Sequence, residues 1–140
     1  MIIALESVEL SNGGIHLLIK GKIDDVELRF VVDTGASHSV MDIHWAKLNL
    51  NEADFTLVNE PAHGIGSSVE VHRVNISNML IGELMIHDRL IALIDFSSIN
   101  AIYSQEGIEE VHGIIGGDIL KDYHAIIDYK KEQLKFQKLK

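Results

Sequence analysis

Val31-Val32-Asp33-Thr34-Gly35-Ala36-Ser37 decides the reading of this chain. Just before it, Val26, Leu28 and Phe30 alternate with Glu27 and Arg29, the period-2 pattern of a strand with one buried face. Val31 and Val32 extend that pattern to an apolar strand end. A buried strand that stops at Asp33 delivers a carboxylate to the edge of the core. Gly35 carries no side chain, so a second backbone can approach closely and a backbone N–H can reach the carboxylate. Thr34 adds a hydroxyl beside it. Asp, Thr and Gly also favour ordinary turns, so a plain turn at a strand end is the alternative for these residues.

Outward from this stretch the apolar pattern stays short. Ile15 to Ile19 is an apolar run broken by His16 and preceded by the turn signal Asn12-Gly13-Gly14. Val69 and Val71 alternate with Glu70 and His72. Leu84 to Ile86 and Leu90 to Ile94 are further runs, and His87-Asp88-Arg89 between them reads as a hairpin turn. Ile126 and Ile127 precede a polar turn at Lys130 to Glu132, after which Leu134 and Phe136 alternate. Many short strands at regular spacing predict an all-β sandwich or barrel. Met41 to Leu48 fits one helix with Met41, Trp45 and Leu48 on its apolar face, and Asp118 is placed to N-cap a short helix through Lys121. Ala101 to Glu110 fits either a loop or a short helix. Phe30-Val31-Val32-Asp33 and Ala92-Leu93-Ile94-Asp95 form a weak internal repeat, each preceded by a turn and another strand.

Composition narrows the function classes. The 140 residues, with 46% apolar and 24% charged side chains, fit a single domain over 1–140 with a real core. Acidic residues number 21 against 12 basic ones, a formal charge of -9, which opposes binding to nucleic acid or anionic membranes. There is no cysteine, so disulfides, thiolate metal sites and a catalytic thiol are excluded. The opening MIIALESVEL has no basic n-region or long apolar run, and no stretch approaches the ~18 apolar residues of a membrane span; the expected location is cytoplasmic. The eight histidines match no compact ligand spacing, and neither a metal nor any other cofactor is expected.

The Val-Val-Asp-Thr-Gly-Ala stretch resembles the retropepsin-like (clan AA) aspartic proteases of the single-lobe cellular or bacterial type. Three further segments follow in that family's order. His63-Gly64-Ile65-Gly66-Ser67 stands where a glycine-rich flap tip belongs. Gly113-Ile114-Ile115-Gly116-Gly117-Asp118-Ile119-Leu120 is similar to the apolar-apolar-Gly segment with its short helix. Tyr123 to Phe136 is similar to the closing hairpin. The resemblance runs from about Ile15 onward. It implies an all-β acid-protease-type closed barrel of short strands, with a flap hairpin and one or two short helices.

It also implies an aspartic endopeptidase that needs no cofactor. Asp33 is then the catalytic residue, and Thr34, Gly35 and Ala36 form its supporting loop. Gly64, Ile65 and Gly66 form the flap, and Ile114, Ile115 and Gly116 buttress the loop. One chain supplies one such Asp, so the working unit is a homodimer with Asp33 from each subunit, acting on a peptide or protein in extended conformation. A non-catalytic member of the fold, serving as a dimerisation or peptide-binding module, is the alternative.

Three departures from the family pattern stand out. Many pepsin-type sequences carry Ser or Thr where this chain has Ala36, and loss of that hydroxyl predicts a less acidic activity optimum. Retroviral members pair an Arg after the triplet with an Asp four residues past the catalytic one; Gly117 and Ser37 replace both. The interval from Asp33 to Gly116, 83 positions, exceeds that of compact retroviral enzymes, and the excess is expected in 96–112 or around the flap. Asp95 lacks a following Gly and reads as a cap or turn residue, and Asp128 as a strand end. Of the histidines, His38 and His63 are expected nearer to the site, where they would tune its charge, with plain exposed histidines as the simpler account.

Overall fold

The computed structural model describes residues 1–61 and 68–137. In chain order the elements are β1 (Ile2–Ala4), β2 (Glu6–Glu9), β3 (Ile15–Ile23), β4 (Val26–Val32), β5 (Val40–Asp42), α1 (Ile43–Asn49), β6 (Phe55–Pro61), β7 (Ser68–Ile81), β8 (Leu84–Ile94), α2 (Ser97–Gln105), β9 (Gly113–Ile115), α3 (Gly117–Asp122), β10 (Ile126–Asp128) and β11 (Gln133–Lys135). A 3-10 turn at Glu52–Asp54 precedes β6.

Eight strands form one sheet in the order β2-β3-β4-β9-β5-β8-β7-β6, and β7 pairs back onto β3 through Gly21↔Ile81 and Lys22↔Leu80. That last pairing curls the sheet into a ring. Gly21 permits the crossing, since a Cβ there would stand 2.5 Å from Leu80 O and 2.7 Å from the Phe30 ring. Inside the ring lies the main core, including Leu17, Ile19, Phe30, Val32, Met41, Ile86, Leu93 and Ile115. A second cluster of Leu10, Leu18, Phe96, Tyr103 and Val111 seats α2 on the outer side of the sheet. The chain is therefore the all-β protein that its short strands predict.

The centre of the sheet carries the internal repeat. β4 runs parallel to β9, β8 runs parallel to β5, and β5 pairs antiparallel with β9. Two hairpins feed these strands, β3–β4 and β7–β8. Each unit then continues through one central strand into a helix: β5 into α1, and β9 into α3. The weak likeness of Phe30–Asp33 to Ala92–Asp95 is thus the trace of a topological twofold.

Several local expectations are corrected. His87-Asp88-Arg89 is not a turn: it lies inside the continuous 11-residue β8, with Asp88 at φ 48°. The turn falls at Gly82-Glu83, with Gly82 at φ 57°, a two-residue loop that needs a glycine at positive φ. Met41 belongs to β5, not to a helix. The buried Asp42 ends that strand and caps α1 by accepting the His44 and Trp45 N–H groups. Trp45 and Ala46 are the buried residues of the short helix, and Leu48 is 84% exposed. Helix α3 is capped by Gly116, and Asp118 sits within its first turn. The open segment 101–110 contains the end of a third helix, α2, which begins at Ser97.

The two ends of the described chain are tied together. β1 and β10 both pair with β11, and the Phe136 N–H donates to Met1 O at 2.9 Å. Among the described residues, no helix is long and apolar enough to cross a membrane.

Candidate active site

Asp33 follows the last residue of β4, where the strand leaves the sheet. Its N–H donates to Ile115 O at 3.0 Å, extending the parallel β4–β9 ladder by one bond. Beyond it the chain turns sharply. The Gly35 N–H donates to Asp33 Oδ1 at 2.8 Å, and the Ala36 N–H to Asp33 O at 3.2 Å. This is an Asx-type turn, a local bond for which Asp is well suited. It leaves Asp33, Thr34 and Gly35 exposed and Ala36 half-buried. One carboxylate oxygen is thereby fixed by a backbone donor at the rim of the sheet.

The residues of the Ile114-Ile115-Gly116 triplet lie against this loop. Val31 pairs with Ile114 and Val32 with Ile115, and Ile115 is fully buried. A Cβ on Gly116 would stand 2.7 Å from Ala36 O and 2.9 Å from the His38 carbonyl carbon, so the two backbones pass at a distance that only glycine allows. The Gly117 N–H closes the contact on Ala36 O at 2.8 Å.

Behind the loop lies a polar contact that the sequence reading missed. Ser39, buried, donates its backbone N–H to Asp118 at 3.0 Å and its hydroxyl to Asp118 Oδ1 at 2.7 Å, while accepting the Gly116 N–H at 2.9 Å. Burial alone would raise the Asp118 pKa. The Ser39 and Ile119 donors and the Arg89 charge outweigh it and hold the carboxyl below its ordinary 3.8. The signal was a small hydroxyl residue just before a buried strand and an acid two positions past a glycine. Neither is distinctive without the pairing that joins them.

Gly64, Ile65 and Gly66, with His63, lie outside the described residues. The strands that lead to them do not: β6 and β7 pair antiparallel from Phe55↔Val74 to Pro61↔Ser68, a hairpin. Period 2 puts Val31 and Asp33 on one side of β4. From Val31 a cross-strand row runs through Ile114, Val40, Ala92 and Arg73 to Thr56 on β6. Along this row a cavity of about 350 Å³ opens between His38, Val40, Val71, Ala92, Ile94 and Asp118.

At the opposite end of the central strands, Asp42, His44 and Asp95 place ligand-type atoms within 4.8 Å of one another. The bonds around them are those of helix entry. Asp42 accepts from the His44, Trp45 and Phe96 N–H groups, so it serves the starts of both α1 and α2. Asp95 accepts the Ser97 N–H at 2.8 Å and its hydroxyl at 2.5 Å, and lies 3.3 Å from His44 Nε2. The Ser97 hydroxyl, then its N–H and His44, lower the Asp95 pKa. Asp95 has the turn role expected of it.

Comparison with known proteins gives a consistent result. The family model described as "Aspartyl protease" matches residues 19–119. The crystal structure of a retropepsin-like aspartic protease from Rickettsia conorii is similar with a TM-score of 0.58 and 20% identity, over 96% of this chain and 86% of that one. That of the retroviral protease-like domain of Ddi1 from Leishmania major is similar with a TM-score of 0.63 and 21% identity, over 89% of this chain and 90% of that one. At these identities the likeness carries the fold. No curated protein matches the chain.

Proposed function

The chain belongs to the aspartyl protease family, and from that premise we propose that it is an aspartic endopeptidase, a single catalytic domain over 1–140 whose active pair forms from Asp33 of two identical copies. One observation carries this reading. Asp33 stands exposed at a strand end, with Oδ1 held by the Gly35 N–H and its loop backed by the 113–117 segment. Such a carboxylate is oriented and accessible, and one copy supplies one. A second copy on a twofold axis supplies the other.

Two carboxylates within hydrogen-bond distance do not both ionise; they share a proton, an effect for which aspartic proteases are the standard illustration. The charged member takes a proton from a water lodged between them. The neutral member donates to the scissile carbonyl oxygen. Water adds to the carbonyl carbon, a tetrahedral diol forms, and a proton passes to the leaving amine as the C–N bond breaks. Thr34 and Gly35 shape the loop that meets its symmetry mate, and the 114–116 triplet keeps it in place.

The β6–β7 hairpin, in the flap role that the family resemblance implies, covers an extended peptide. Main-chain bonds along the hairpin supply affinity, and the cavity beside His38 takes one side chain. Closure excludes water from the pair.

Peptide-library cleavage by the wild type and by Asp33→Asn tests this reading. The wild type is expected to cleave, and the variant to lose at least about 10²-fold in kcat/KM. Cleavage by both proteins, or by neither, sinks the proposal and favours a peptide-binding module.

A further inference from the structure

The loop from Asp33 to Ser39 is fastened at three points to one short segment, 115–118. At its start the Asp33 N–H bonds Ile115 O, and at its middle Ala36 O accepts the Gly117 N–H. The third point, at its end, is the only one made by side chains. Ser39 is 4% exposed. A carboxylate only accepts, so the short bond to Asp118 fixes the direction of the Ser39 hydroxyl proton. With that proton committed, the hydroxyl oxygen faces the Gly116 N–H as an acceptor. The Ser39 backbone N–H also points at both Asp118 oxygens, each at 3.0 Å. Asp118 is in turn fixed to its own helix by the Ile119 N–H at 2.8 Å.

We infer that Ser39 and Asp118 are positioning residues for Asp33: a buried hydroxyl–carboxylate latch that sets how the loop sits on the start of α3, and thereby how the carboxylate is presented to its mate. The inference rests on the peptidase reading, because positioning matters only if Asp33 reacts. In retroviral relatives an Arg–Asp ion pair is expected at Gly117 and Ser37. Here neither charge is present, and the latch spans the same two segments from positions 39 and 118 instead.

The physical argument is one of unsatisfied donors. Without the Asp118 carboxylate, the Ser39 N–H and O–H lose their acceptor in a buried place, and the loop must shift to find another. Without the Ser39 hydroxyl, the Gly116 N–H loses its acceptor where a side chain would collide with His38. A proton-sharing pair tolerates little displacement, and a shift of about 1 Å at a reacting group costs about 10²-fold in rate. Neither residue touches the reacting atoms, so the loss falls on kcat. Both residues also line the cavity beside His38, and a contact with substrate there would instead appear in KM.

The experiment is steady-state kinetics on one library-selected peptide with wild type, Ser39→Ala, Asp118→Asn, the double variant and Ser39→Thr, with Tm measured for each. Both single variants are expected to lower kcat at least about tenfold, with KM within about twofold. The double variant is expected to be no worse than the poorer single one, because the two residues act as a unit. Ser39→Thr keeps the hydroxyl and is expected to retain kcat within about threefold. Should Ser39→Ala not fold, Asp118→Asn and Ser39→Thr carry the comparison. A lowered Tm with unchanged kcat assigns the latch to stability alone and overturns the inference. A change confined to KM assigns the residues to substrate contact and overturns it too. Both of those results leave Asp33-dependent cleavage intact. Absence of any Asp33-dependent cleavage by the wild type overturns the peptidase reading, and the latch with it.

Discussion

Gly35 and Gly116 show how much depends on a missing methyl group. At Gly35 a Cβ would meet Asp33 Oδ1 at 3.1 Å, closer than a carbon and an oxygen normally settle. Gly35→Ala is therefore expected to turn the carboxylate and lower kcat sharply while Tm moves little. At Gly116 the collision is with backbone, which has no freedom to yield. Gly116→Ala is expected to cost about 1–3 kcal/mol in denaturant unfolding. At Ala36, Ala36→Ser adds a hydroxyl beside the ionised form. The acid limb of its pH–rate profile is expected to move to lower pH, whereas a wild-type rate still rising below pH ~3 contradicts the proposed optimum.

At the level of elements, turns and buried polar groups decide stability. Gly82, at φ 57°, starts the β7–β8 hairpin under the Ile3 side chain. Gly82→Ala introduces a Cβ where positive φ disfavours it and is expected to destabilise by about 1 kcal/mol or more. His112 joins the strands to α1: its Nδ1 accepts the Arg29 N–H at 3.1 Å and its ring lies against Trp45. Burial pushes its pKa below the ordinary 6.5, and Glu110 and Asp42 offset this only in part. Between the depressed folded value and 6.5 the unfolded chain binds the proton and the folded chain does not, so stability is full above 6.5 and falls as pH drops below it. Asp118 behaves as a depressed carboxyl: its contribution is present above 3.8 and lost as pH falls through its folded value. Denaturant unfolding at pH 7 and pH 5 is expected to show the first loss, and His112→Gln to reduce it. Leu48, exposed on α1, is the contrast: Leu48→Gln is expected to stay within about 0.5 kcal/mol of wild type.

For the whole molecule the governing quantity is association. If Asp33 acts through a symmetry mate, as proposed, specific activity is expected to fall on dilution, in step with the loss of dimer in sedimentation. Mixing in Asp33→Asn is expected to depress wild-type activity further than dilution does, because mixed dimers carry one competent carboxylate. Activity that is independent of concentration down to a demonstrated monomer contradicts the shared site.

Strand alternation, the turn at Asn12-Gly13-Gly14 and the Asp-Thr-Gly-Ala stretch were legible because each is a local chemical demand: period 2 for a half-buried strand, positive φ at Gly13 in a turn, a carboxylate at a strand end. From these the sequence determined the all-β class, the strand that delivers Asp33 and the triplet that lies against its loop. Met41 and His87–Arg89 misled because spacing alone does not reveal where a buried Asp42 stops a strand, or that a strand continues through Asp88. The Ser39–Asp118 contact, the closing of β7 onto β3 and the bond from the Phe96 N–H to Asp42 were decided by tertiary structure. Each joins residues more than fifty positions apart, and a long-range pairing leaves no periodic trace in either partner's own neighbourhood.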